Sequence, residues 1–394
     1  MDNQEVRLTL EQVNRYEVCK RLLDGDITNK EAAKGLRLSV RQVQRIKRRI
    51  EQQGAKGVIH GNTGREPPNK TPQPVRDRVL KLAEKEYADY NFSHLADTLA
   101  EEHNIVLSDE TLRLWLRPQG HGRPVRRRGK HRRRRKRKAR EGQMLFLDGS
   151  PHRWFGPEEP PCCLILASDD ATGKPLWGKF QAEEDRDGCF EVCYHLFSRF
   201  GLPASFYLDR ASQFITTRHG GLHVKQGPDT QKTHFEIAMD RLAIGLSFAN
   251  SPQARGRGER LNGTFQDRLV AELAHKGITE CREATKYLNK QFIPKYCRWF
   301  GKEPREPEPL WRPVPAGLEL KTVLCAKYTR TVANDNTVSF QGTTYQLYPP
   351  NSCYHLVRAK LEVQQWFNGS VHFYHQHYGQ ISSRALPRDE ESTQ

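Results

Sequence analysis

The stretch 145-LFLDGSPHRWF-155 decides how the middle of the chain is read. Leu145, Phe146 and Leu147 form an unbroken apolar run, the mark of a strand covered on both faces. Asp148 follows at once, and Gly149-Ser150-Pro151 then predicts a turn that ends the strand. A carboxylate in that position is costly to desolvate unless a donor or a cation compensates it. The partners of Asp148 have to come from elsewhere in the chain.

Reading outward, strands are expected at 143–148, 162–170 and 174–181, with Asp170-Ala171-Thr172-Gly173 turning between the last two. A helix over 184–201 has acids in its first turn and Gly201 at its end. The next strand, 204-ASFYLD-209, again runs apolar residues into an acid. Helix 233–245, strand 246–251, helix 256–277 and helix 281–300 follow. This alternation is the element order of the ribonuclease H fold. In that fold the first and fourth strands are neighbours, so Asp148 and Asp209 would lie side by side. The helix after the fifth strand aims at the same point, and Glu259 stands in its first turn.

Such a trio has a chemistry. In-line phosphodiester cleavage is helped by two Mg²⁺ ions about 3.5–4 Å apart, which clamp the entering and leaving oxygens. Mg²⁺ prefers carboxylate oxygen to imidazole or thiolate. We expect Asp148 to bridge two ions, Asp209 to bind one and Glu259 the other. Each acid alone reads as structural: a strand end, a turn start, an acid favourable to a helix dipole. It is their joint placement in one fold that points to metal. Asp169 and Asp170 are expected in the hairpin turn, and His152 in an exposed turn. In 372-HFYHQH-377 only His375 and His377 share a strand face, too few for zinc.

Towards the N-terminus the pattern is helical. Helices are expected over 8–23, 28–36 and 40–54, the second capped by Thr28 with Glu31 and closed by Gly35, the third capped by Ser39. Val40, Val43, Ile46 and Ile50 form one stripe of the third. Arg41, Gln42, Gln44, Arg45, Arg48 and Arg49 are left outward, a helix-turn-helix pattern with a base-reading face. After the Gly/Pro-rich 61–72, segments 94–104 and 109–118 suggest a second such unit, with Arg113 as a DNA contact.

The chain has 394 residues, 64 Lys+Arg against 47 Asp+Glu, and a formal net charge of +17. Residues 123–140 alone hold 13 of the cations and no acid; without them the chain would carry +4. Arg126, Arg127, Arg128, Lys130, Arg132, Arg133, Arg134, Arg135 and Lys136 therefore belong to a polyanion-binding arm, most simply for DNA. Arg255, Arg257, Arg260 and Lys276 are expected along the same path, with Asn250 and Gln253 near the scissile phosphate. Nine scattered cysteines without a CxxC pair fit a reducing compartment. No apolar run is long enough to span a membrane and no signal peptide opens the sequence. A cytoplasmic, nucleoid-associated bacterial protein is expected.

Beyond the Pro-rich 304–318, Gln341-Gly342 and Asn368-Gly369 are hairpin signals, and 319–380 should form a small all-β barrel before a loose tail at 381–394. The expected architecture is multidomain: all-α helix-turn-helix units at 1–60 and 73–120, a basic linker at 121–141, an α/β ribonuclease H-like domain at 142–303, then the barrel.

The pieces 147-LDGS-150, 208-LDRASQF-214 and 248-FANSPQARGRGERLNGTFQDRLV-270 resemble the catalytic core of the DDE transposase and retroviral-integrase superfamily, the last resembling ISNCY-type bacterial insertion-sequence transposases. Two departures stand out. The Asp209–Glu259 gap exceeds the family's common thirty-five residues, through an insertion at 216–234. The His/Cys zinc module of retroviral integrases is absent. The resemblance implies Mg²⁺-dependent cleavage at element ends, Mn²⁺ substituting, and joining of 3′-OH ends to target DNA. It also implies a homo-oligomer, a dimer or larger, that holds two terminal inverted repeats. A nuclease or resolvase without strand transfer, and a DNA-binding regulator with an inactive core, are the alternatives.

Overall fold

The computed structural model describes residues 7–387, apart from 64, 69, 123–135, 216–231 and 250–255. It divides into two compact units, Met1–Val79 and Leu80–Gln394.

The first unit is helical: α1 (Leu10–Leu23), α2 (Asn29–Leu36) and α3 (Val40–Gln53). All three open on a capping box, made by Thr9 with Gln12, Thr28 with Glu31 and Ser39 with Gln42. Cys19, Ile46, Ile50 and Val58 close one cluster; Leu22, Ala32, Ala33 and Val43 close another. Two details differ from expectation. Gly35 lies inside α2, and it is Arg37 that ends the helix in the left-handed region at φ 52°. Val40 is 38% exposed, because the first residue of α3 precedes the turn that reaches the core.

The second unit begins with α4 (Gln73–Lys85), within which the division falls, then α5 (Phe92–His103) and α6 (Asp109–Leu116). Its centre is a five-stranded sheet in the order β3-β2-β1-β4-β5. The strands are β1 (Leu145–His152), β2 (Cys162–Asp169), β3 (Pro175–Gln181), β4 (Ser205–Leu208) and β5 (Gly245–Phe248). β1, β2 and β3 are antiparallel neighbours, whereas β4 runs parallel to β1 and β5 parallel to β4. One face packs Leu145, Leu147, Phe206 and Leu208 against α7 (Arg186–Phe200) and α8 (His234–Arg241). The other packs Leu164, Leu166 and Phe180 against α9 (Gly256–His275), α10 (Cys281–Tyr287) and α11 (Ile293–Phe300). Helices thus cover both faces.

The Gly-Ser-Pro segment is not a turn. β1 continues through it to His152, paired with β2 along its whole length, with Pro151 opposite Cys163. β4 ends at Leu208, and among the described residues no strand pairs with that edge of β1 further on, so a proline without an N–H is tolerated there. The single helix expected over 281–300 is broken by a π turn at Leu288–Phe292, just before Pro294, whose missing N–H interrupts the α ladder.

The Pro-rich stretch lies on the core. Leu202 and Arg312 exchange two backbone hydrogen bonds, at 2.7 and 2.9 Å, and Trp311 stacks on Phe200. The last six strands, β6 (Cys325–Thr331), β7 (Thr337–Phe340), β8 (Thr343–Tyr348), β9 (Lys360–Trp366), β10 (Val371–His375) and β11 (Gly379–Ala385), form one antiparallel sheet in the order β6-β9-β10-β11-β8-β7. Gln341 and Gly342, at φ 50° and 75°, make the two-residue turn that joins β7 to β8. The sheet curls around Phe373, Val363 and Leu347, but among the described residues its end strands β6 and β7 do not pair. It is a curled sheet and not the closed barrel expected, and β11 carries it past residue 380 to Ala385.

Candidate active site

The register of β1 on β4 pairs Leu145 with Phe206 and Phe146 with Tyr207. Continued two residues further, it sets Asp148 beside Asp209, one step past the end of β4. Neighbouring strands lie about 4.8 Å apart, so the two carboxylates share one small region. Alternation along the strands fixes their face. Leu147 and Leu208 point into the core under α7, while Phe146 and Tyr207 meet edge to face at 5.7 Å on the other side. Asp148 and Asp209 fall on the side of Phe146 and Tyr207.

That side is covered by α9. Asn262 donates its amide to Asp148 Oδ2 at 3.0 Å, and one turn earlier Gly258 comes so close that a Cβ there would sit 3.6 Å from the same oxygen. One turn later Gln266 donates to Ser150 Oγ at 3.1 Å. Glu259 lies in the first turn of α9 and is exposed, about 60° around the helix from Asn262. Among the described residues, no three His, Cys, Asp or Glu side chains converge as a set of metal ligands. The register thus sets the two aspartates side by side, and Glu259 lies exposed on the helix turn that reaches Asp148.

A fourth acid was not expected. Glu184, between β3 and α7, lies against the backbone of Gly149, where a Cβ would sit 2.1 Å from its Oε2. A side chain at 149 would displace the Glu184 carboxylate. Gln213 donates to Glu184 Oε1 at 2.7 Å. Burial, and then the charge of Asp209, push its carboxyl up to about 7, against the pull of the Gln213 hydrogen bond. In the sequence Glu184 is hidden among Glu183, Asp185 and Asp187, which read together as acids opening a helix. Only Asp185 caps α7, accepting from Gly188 N at 2.7 Å.

The remaining candidates separate by their contacts. Asp169 is buried and accepts from Thr172 N–H and Oγ1–H and from Gly142 N–H, which makes it the organiser of its turn. Asp170 pairs with Arg257 and accepts from Lys138 N–H at 2.7 Å. His152 ends β1 edge-on to Trp154. His372 stacks on Trp366 at 3.9 Å, and His375 and His377 lie with ring centres 5.6 Å apart. Lys276 lies over the Tyr287 ring. On α3, Arg41, Gln44, Arg45 and Arg48 are exposed, while Gln42 spends its carbonyl oxygen on the Ser39 N–H of the capping box. Arg113 pairs with Glu110 on the same helix. Arg126, Arg127, Arg128, Lys130, Arg132, Arg133, Arg134, Arg135, Asn250, Gln253 and Arg255 lie outside the described residues.

Helix α9 is also gripped from behind by α5. His94 Nε2 meets Glu272 Oε1 at 2.9 Å, Arg268 donates to Asp97 at 2.7 Å, and Tyr287 also donates to Glu272. Burial would raise the Glu272 carboxyl, but these donors and the Lys295 ammonium outweigh it and hold the group near about 2.

Two curated relatives match nearly the whole chain. "Putative transposase y4bF" of Sinorhizobium fredii is 33% identical over 367 residues, which is 93% of this chain and 79% of that protein. The chain belongs to the transposases. The transposase for insertion sequence IS1202 of Streptococcus pneumoniae is 29% identical, across 92% of this chain and 84% of that one. No family model matches. Among solved structures, a chain of the simian T-cell lymphotropic virus intasome aligns at 13% identity over 78% of this transposase and 96% of its own length, with a TM-score of 0.31. The HTLV-2 integrase catalytic core in complex with magnesium aligns at 14% identity over 38% and 82%, with a TM-score of 0.27.

Proposed function

We propose that the chain is the DNA transposase of an insertion sequence, which binds the terminal inverted repeats, cleaves at the element ends and joins the 3′-OH ends to target DNA. The observation that supports this reading is the parallel register of β1 on β4, which, continued one step past Leu208, sets Asp148 beside Asp209 beneath α9. Paired carboxylates are the donor set that a hard divalent ion takes. Asp148, Asp209 and Glu259 would hold two Mg²⁺, and bound there the ions would supply charge stabilisation for the nucleophilic and leaving oxygens of the scissile phosphate.

The chain's own part is positioning. Asn262 fixes the rotamer of Asp148, and Gly258 leaves room beside that carboxylate. Glu259, in the same helix turn as Gly258, would complete the set. The exposed face of α3, with Arg41, Gln44, Arg45 and Arg48, reads the element end. The basic arm at 123–140 neutralises phosphates in any sequence, and a dimer or larger assembly holds two ends together.

A strand-transfer assay with Mg²⁺ and a duplex bearing the element's terminus tests the reading. Joined products are expected. Nicks without joining would support a nuclease or resolvase, and no metal-dependent chemistry would leave a DNA-binding regulator.

A further inference from the structure

A cavity of about 370 Å³ opens on the face of the sheet covered by α9, near the paired aspartates. Phe146 in its wall stands two residues before Asp148 on the same face of β1, roughly 7 Å along the strand. The first turns of α9 serve both places: Gly258 and Asn262 turn to Asp148, while Arg257, Arg260, Leu261 and Thr264 line the cavity. Its buried floor is aromatic, with Phe146 at 7% and Tyr296 at 6% exposure and Phe300 beside them. Its rim is cationic, formed by Arg137, Arg260 and Lys302. Asp169 and Asp170 in the lining offset part of that charge, but with Arg257 the cations still outnumber the acids. Asp169 is engaged by Thr172 and Gly142, and Asp170 by Arg257 and the Lys138 N–H.

An aromatic floor beneath a cationic rim suits a base attached to its phosphate, since every base offers a face for stacking and every phosphate a charge. Its volume is that of a small-ligand site and not of a duplex groove. We propose that this cavity takes one nucleotide of the DNA strand, unstacked from the duplex, with its base on Phe146, Tyr296 and Phe300 and its phosphate at Arg260 and Lys302. The distance along β1 places that nucleotide next to the one whose phosphate lies at Asp148. The inference rests on the transposase reading and adds to it a subsite that selects distorted DNA.

The test uses the full-length chain, in EDTA so that no cleavage intervenes, with two short duplexes that differ at one position. In one, 2-aminopurine stands opposite an abasic site and leaves the stack readily; in the other it is paired with thymine. The expected result is tighter binding of the first duplex by at least about fivefold, the effect of one stacked base, with its fluorescence quenched on binding. Thr264→Tyr, which fills the cavity from α9, should bring the ratio of the two affinities to about one. Arg260→Ala, at the exposed rim, should lower the same ratio without touching the core. Equal affinity of the native chain for both duplexes overturns the proposal, as does a ratio unchanged in both variants. Metal-dependent nicking by the same preparation separates the two readings. Nicking without selectivity removes the cavity's role alone, while absence of both DNA binding and nicking removes the transposase reading as well.

Discussion

Asn262 donates its side-chain amide to Asp148 Oδ2 at 3.0 Å, across the space between α9 and β1. A neutral donor in that place orients a carboxylate without competing for its charge. Partners behind a metal ligand commonly matter 10–100-fold in metal affinity or activity. Asn262→Ala should therefore lower the cleavage rate by roughly that factor and raise the Mg²⁺ concentration needed for half-maximal rate, with little change in thermal midpoint. Rates measured across a Mg²⁺ series test this, and an unaltered Mg²⁺ dependence would show that Asp148 is oriented by other contacts.

Glu184 makes an opposite kind of prediction, about stability. Its folded value of about 7 lies above the ordinary 4.5, so the folded chain binds the extra proton in that interval and stability falls as pH rises from about 4.5 through about 7. Glu184→Gln keeps an acceptor for Gln213 and removes the charge. In metal-free buffer it should stabilise the chain at pH above 7 by on the order of 1–2 kcal/mol, after allowance for water access, and hardly at all at pH near 5. Thermal midpoints of both proteins at the two pH values decide it. Equal midpoints throughout would mean that neither burial nor Asp209 raises this carboxyl.

The grip of α5 on α9 has the reverse sign. Burial keeps the His94 imidazole below its ordinary 6.5, with the Glu272 hydrogen bond pulling the other way, and Glu272 itself is held near about 2 against an ordinary 4.5. The unfolded chain then takes up protons first, so this contact loses stability as pH falls below about 6.5, through 4.5 and on towards 2. His94→Gln can still donate to Glu272 but does not titrate. The variant should lose less thermal stability than the native chain between pH 7.5 and pH 5. Parallel curves over that interval would place the acid sensitivity elsewhere.

These contacts show what a sequence discloses and what it withholds. Asp148 and Asp209 were legible because each ends a short apolar run, and the parallel pairing of β1 with β4 aligns them. The true length of β1 was not, since Gly-Ser-Pro has turn chemistry and only the long pairing with β2 overrides it. Glu184 was obscured by the acids around it, because a helix start accounts for any of them equally well. The clamp of His94, Asp97 and Arg268 on α9 joins residues far apart in the chain, and no local pattern marks it. Capping boxes, by contrast, are local, and Thr28 with Glu31 forms as read.

For the basic arm, the prediction concerns salt. Replacing Lys130, Arg132, Arg133, Arg134 and Arg135 by Gln should weaken binding to duplexes of any sequence alike. Each phosphate that the arm no longer neutralises should flatten the logarithmic salt dependence by about 0.9. A slope equal to that of the native chain would mean that the arm does not touch DNA.

The most direct measurement is made on Asp209→Asn, which keeps the size of the side chain and an acceptor for the Ala211 N–H but removes the charge. End-DNA binding and Mg²⁺-dependent cleavage are followed in the same preparation. The account predicts binding within about twofold of the native chain and cleavage and joining reduced by at least about 10³-fold, as expected when charge stabilisation of the reacting phosphate is lost. Cleavage that persists at a comparable rate would contradict it, because the paired carboxylates would then not be where the chemistry occurs.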